Sequence, residues 1–158
     1  MMISILSNIQ TQGHLSTAQV LRRTLLGIIS LGVVGTLTEL FLMGHYKEAT
    51  QWPPIILLAL TAIGVVMMVI KPTPRNIKLF RWLMLLVAVS SLVGIFFHLK
   101  GNIEFKLETK PDLAGLALLW KSIQGGIPVL APGMMAQVGL LGLAYTFRHP
   151  NLKTLSEK

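Results

Sequence analysis

Residues 24–44, 54–70, 79–99 and 128–147 form four apolar stretches, each holding at most one charged side chain. A helix needs about 20 mostly apolar residues to cross a bilayer. Lipid offers the main chain no hydrogen-bond partner, so such runs must close their bonds internally as helices. The expectation is an all-α integral membrane protein, an up-down bundle of four transmembrane helices forming one domain over residues 1–158. Composition supports it. Charged residues are 13% of the chain and mean hydropathy is +0.67, whereas soluble domains carry roughly 25% charged residues. The same balance excludes a disordered chain. The absence of cysteine excludes disulfides, zinc fingers, thiolate clusters and cysteine nucleophiles.

Punctuation falls where four spans require it. Ser16 and Gln19 have capping-box spacing ahead of the first run. Gly44 suits the left-handed residue that closes a helix. Pro53 and Pro54 open the second helix. Pro72 and Pro74 end it in the turn at 71–78, and Pro128 and Pro132 fall at the start of the fourth. The first run is too long for a signal-peptide core and no small-residue cleavage site follows, so it reads as a permanent span.

The net charge is +8. Nine of the 14 cations fall on one side of this topology: Arg22, Arg23, Lys71, Arg75, Lys78, Arg81, Arg148, Lys153 and Lys158. The other five are Lys47, Lys100, Lys106, Lys110 and Lys121. Basic residues mark the cytoplasmic side. Both termini are therefore expected in the cytoplasm and the chain in the cell inner membrane. The basic balance is topological on this reading, and nucleic acid is not an expected partner.

Residues 100–127 form the long outer connection. Ile103 to Glu108 alternate apolar and charged, the pattern of an extended segment on the membrane surface. Leu113, Leu116, Ala117, Trp120 and Ile123 then share one helical face before Gly125 and Gly126. A short amphipathic helix in the interface fits, with Trp120 and Trp52 at headgroup depth.

Glu39 is the one acidic residue inside a span, and a carboxyl there should face protein or water. Gly32, Gly35 and Glu39 share a stripe, and Ser91, Gly94 and His98 repeat its spacing. Small residues allow close helix packing, so Gly32, Gly35, Ser91 and Gly94 are the expected packing positions. An offset of 59 residues aligns Arg22 with Arg81, Gly35 with Gly94 and Glu39 with His98. That suggests an internal repeat of two parallel hairpins. Glu39 and His98 fall at similar depth, and His45 lies near the same level. Glu39, His45, His98 and Glu104 are thus candidate metal ligands, with Glu108 also within reach of the loop. His45 and His98 are candidate ligands for haem iron or a chlorophyll-type magnesium. Imidazole with carboxylate suits zinc, iron, copper or manganese. The plainer reading is a Glu39–His98 pair that locks two helices, and proton relay is a third. Gln137 reads as an interhelical hydrogen bond, and Met134 as apolar filler with copper ligation left open. His14 and His149 belong to the opposite side.

No nucleophile–base pair, phosphate loop or nucleotide fingerprint is present. The leading function is a non-enzymatic subunit or accessory protein, touching the lipid bilayer and either other membrane subunits or further copies of itself. The rivals are a bundle binding a transition metal, haem or pigment at its outer end, and a small transporter or proton-coupled carrier.

Overall fold

The computed structural model describes residues 16–155; His14 and Lys158 lie outside them. These residues form five α-helices: α1 Thr17–Leu42, α2 Trp52–Ile70, α3 Pro74–Thr109, α4 Gly115–Ile123 and α5 Gly133–Thr146. Short 3-10 turns at Ala49–Gln51 and Pro150–Leu155 complete the order. No strand occurs among the described residues. α1, α2 and α3 are long and apolar enough to cross a bilayer.

Local chemistry accounts for the helix ends. Ser16 Oγ accepts from the Gln19 amide at 3.3 Å, and Gln19 Oε1 accepts from the Ser16 amide at 2.9 Å. This reciprocal cap satisfies donors that no helical turn precedes. At the other end of α1, Gly44 adopts φ +66°. The His45 amide bonds Leu40 O at 2.8 Å and the Gly44 amide bonds Phe41 O at 3.0 Å. That is a Schellman closure, and it turns His45 back toward the helix end. Thr73 Oγ1 caps α3 by accepting from the Asn76 amide at 3.2 Å, with Pro74 in the first turn.

The core follows a coiled-coil spacing. Ile77, Phe80, Met84, Val87 and Ser91 form the buried seam of α3, and Leu58, Thr61, Val65 and Met68 that of α2. Alternating steps of three and four residues keep one stripe facing inward. Ile29 and Val33 of α1 and Met135, Val138 and Tyr145 of α5 complete it. Packing pairs α1 with α2, α2 with α3, α3 with α5 and α5 with α1, which closes a ring of four helices. The exterior is apolar: Leu31, Val69, Trp82, Leu92 and Leu140 are all exposed. In water such a surface invites association; in a bilayer it is the matched one.

Three expectations are corrected. The alternating segment 103–108 is helical, because α3 runs on to Thr109 without a break. A lone strand leaves its main chain unpaired, whereas the helix satisfies it and adds a Lys100–Glu104 ion pair at 3.6 Å one turn apart. At 36 residues α3 is about 54 Å long, well beyond the ~30 Å hydrocarbon core. The fourth apolar run yields a helix of only 14 residues, about 21 Å. Residues 128–132 instead form successive tight turns, with Ala131 bonding Pro128 O at 3.2 Å and Gly133 bonding Leu130 O at 2.8 Å. Pro132 has no amide to donate to the Pro128 carbonyl four residues back, so a regular helix cannot run through from Pro128 and starts instead at Gly133, with Pro132 as its N-cap. Third, Gln137 is exposed on α5 instead of bridging helices.

Candidate functional site

The two ends of the helix ring differ in chemistry. At one end α3 extends past its neighbours, and α4 folds back along that extension. Asn102 is 2% exposed there. Its Nδ2 donates to Ile127 O at 2.7 Å, and the Ile127 amide donates to its Oδ1 at 3.1 Å. Gly125 permits this approach, since a Cβ at that position would strike the Asn102 amide. One turn earlier, His98 Nδ1 bonds Pro128 O at 2.8 Å. A carbonyl only accepts, so Nδ1 carries a proton. His45 lies close enough to feel His98. Burial first, and the His98 charge second, hold His45 below the ordinary histidine value of 6.5.

Glu39 does not join this group. It is exposed on the outer face of α1, and no ion pair links it to His98 among the described residues. Glu104 is engaged with Lys100. Nor do any three His, Asp or Glu side chains gather closely enough to hold a metal among the described residues. No three of Glu39, His45, His98 and Glu104 come together, and His45 is close enough to His98 to interact with it electrostatically.

The small residues part company as well. A Cβ on Gly32 would meet Val138 of α5 at 3.0 Å, and one on Gly94 would meet Pro132 at 2.8 Å. Ser91 is buried and bonds Ala88 O at 2.9 Å. Gly35 has nothing within 4 Å. Gly35 and Gly94 align in the 59-residue offset, yet one is open and the other packed.

The closest helix contact uses residues that sequence reasoning passed over. A Cβ on Gly139 would lie 2.6 Å from Met84 O and 2.7 Å from Ala88 N. One on Gly142 would collide with the Met84 side chain. α5 thus touches α3 backbone to backbone, as small residues permit. Their spacing of three was the available signal.

The opposite end is basic. Arg22, Arg23, Lys71, Arg75, Lys78, Arg81 and Arg148 collect there, and no carboxylate pairs with any of them among the described residues. Arg81 Nη2 donates to Thr146 O at 2.7 Å and its Nε to Thr146 Oγ1 at 3.3 Å. Arg22 Nη2 reaches Arg148 O at 3.2 Å and Phe147 O at 3.5 Å, while Nη1 reaches Ala18 O at 3.4 Å. Two arginines from different helices thus occupy the carbonyls that end α5, where cations oppose the helix dipole. Buried His149 packs on Tyr145 and accepts the Asn151 amide at 3.3 Å. Burial first, and the Arg22 charge second, hold it below 6.5. Asn151 Nδ2 donates to Pro72 O at 2.6 Å, tying this segment to the α2–α3 turn.

Elsewhere the buried hydroxyls serve their own helices: Thr61 bonds Leu57 O and Ser122 bonds Leu118 O. The chemistry on view is that of helix capping, helix packing and lipid contact. No known protein family, curated protein or solved structure matches the chain.

Proposed function

We propose that this chain is a non-enzymatic subunit or accessory protein of a larger membrane assembly, seated in the cell inner membrane with its basic end in the cytoplasm. The observation that carries the reading is the outward position of Glu39. It belongs to one of the three helices long and apolar enough to span, and it is exposed on that helix's outer face. A carboxyl facing lipid is costly, by about 2.5–3.5 kcal/mol at mid-membrane on insertion scales and less near the interface. A neighbouring helix that donates a hydrogen bond removes this cost. Gly35, one turn earlier, has open space where that helix would approach. The occupant is another membrane helix, from a different subunit or from a second copy.

The test is extraction in a mild detergent followed by native electrophoresis, with Leu31→Cys as a cross-linking probe on the same exposed face. The wild type should run above its 17.4 kDa mass, and Glu39→Leu or Gly35→Leu should release a folded monomer. A wild type that runs as a monomer, together with a Leu31→Cys variant that gives no cross-link, would overturn the reading.

A further inference from the structure

The excess positive charge of the described residues sits at one end of the molecule. Its seven cations, Arg22, Arg23, Lys71, Arg75, Lys78, Arg81 and Arg148, pair with no carboxylate among the described residues. At the other end five lysines are matched by Glu48, Glu104, Glu108 and Asp112, with Glu39 a turn deeper.

Within the basic end, an open groove of about 390 Å³ lies between the start of α1 and the residues following α5. Its walls include Ser16, Gln19, Arg22 and Arg148. Three features distinguish it from a merely charged surface. First, main-chain carbonyls hold the Arg22 guanidinium in place, so its charge is oriented but not neutralised. Second, its Nε is buried and has no acceptor, so the protein's own groups do not fully satisfy the guanidinium. Third, Arg148 stands at φ 45°, a conformation that a residue with a Cβ adopts only under strain. That turn sets its guanidinium 5.4 Å above the ring of Phe147. Phe147, next to Arg148 in the chain, is itself 66% exposed. The groove therefore opens where apolar side chains meet cations, which is the level of a lipid phosphate.

We propose that this groove seats the phosphate headgroup of an anionic phospholipid, with Arg22 and Arg148 as its two cationic arms. The acyl chains then run down the apolar exterior of the bundle. An arginine matches phosphate oxygens with paired donors, which a lysine cannot do.

The experiment uses the full chain in a neutral detergent. Thermal unfolding is followed while phosphatidylglycerol, phosphatidylcholine or inorganic phosphate is added. Phosphatidylglycerol should raise the midpoint in a saturable way, and the other two should leave it nearly unchanged. Arg148→Gly separates fold from ligand. Glycine relieves the positive φ, so the lipid-free midpoint should rise, while apparent affinity for phosphatidylglycerol should fall about fivefold, the share of one cation near the surface. Arg75→Gln removes the same charge from the start of α3, away from the groove, and should keep wild-type affinity. An equal loss in Arg75→Gln and Arg148→Gly would show a diffuse field and overturn the proposal. Equal stabilisation by phosphatidylcholine or by phosphate alone would overturn it too. So would tighter binding of a single-stranded RNA than of lipid in competition.

Discussion

The Asn102 side chain pairs with the main chain of Ile127 as a second backbone would, giving one hydrogen bond and taking one. The two residues are 25 apart in sequence, and this exchange fastens the α4 hairpin to the protruding end of α3. Replacing Asn102 with leucine keeps the branched shape, with bulkier methyls in place of the amide, and strands both polar groups of Ile127. Each buried orphan costs about 1–3 kcal/mol, so Asn102→Leu should lower stability by about 2–6 kcal/mol. Gly125→Ala should weaken the same joint through collision with the Asn102 amide. Proteolysis of the 110–127 segment in detergent should speed up in both variants.

Glycines on α5, where it meets α3, and on the open face of α1 should respond with opposite signs. Gly139→Ala places a methyl against the main chain at Met84 and Ala88, which cannot move aside, and should cost about 1–3 kcal/mol from overpacking. Gly27 has nothing within 4 Å, and Gly27→Ala should gain up to about 1 kcal/mol of helix propensity. Thermal unfolding of the two variants in one detergent checks both signs.

Arg81 holds the carbonyl end of α5 through two donors on Thr146. Arg81→Lys keeps the charge and loses the forked geometry, and should cost about 1 kcal/mol. Arg81→Ala removes both bonds to charge and should cost about 2–3 kcal/mol. Denaturation curves should rank wild type above lysine above alanine.

Acid should destabilise the fold through two histidines outside the long apolar helices. His45 and His149 both titrate below the ordinary value of 6.5, mainly through burial. A folded value below the unfolded one means that the unfolded chain binds more protons as pH falls. Their contribution is therefore complete above 6.5 and is lost as pH drops below it toward the folded values. The unfolding midpoint should be lower at about pH 5 than at about pH 8. His149→Gln keeps an acceptor for the Asn151 amide, cannot titrate, and should flatten that dependence.

Thr73 and Thr109 bracket α3, one as its cap and the other as its last residue. If α3 spans the membrane, cysteines placed at the two positions label from opposite sides. The expected outcome from the cation count is Thr73 on the cytoplasmic side. Labelling of Thr73→Cys by an impermeant reagent outside intact cells would reverse that orientation.

The features that could be read in advance were those set by neighbours in sequence. Ser16 with Gln19, Gly44 at φ +66° and the prolines around 53 and 72 act within a turn or two. Those that escaped depend on partners far along the chain. Asn102 looked like one polar residue among many until Ile127 came beside it. The stripe through Gly32, Gly35 and Glu39 has a direction only once α5 packs on Gly32, which rotates Glu39 outward and away from His98. Alternation over residues 103–108 favoured an extended chain, but the helix already propagating from Pro74 was the stronger influence, since elongation is far easier than nucleation.

A helix of 14 residues is too short to be recognised and inserted by its own greasiness. α1, α2 and α3 are each long and apolar enough to partition into a bilayer on their own, whereas α5 finds its depth against α3 and α1. Its topogenesis is conditional. α3 must already stand upright before α5 can be seated, and the arginines from α1 and α3 can close over its end only afterwards. Errors on the Gly139 face should therefore appear first in biogenesis, as a chain with three helices inserted and its C-terminal third left exposed to quality-control proteases.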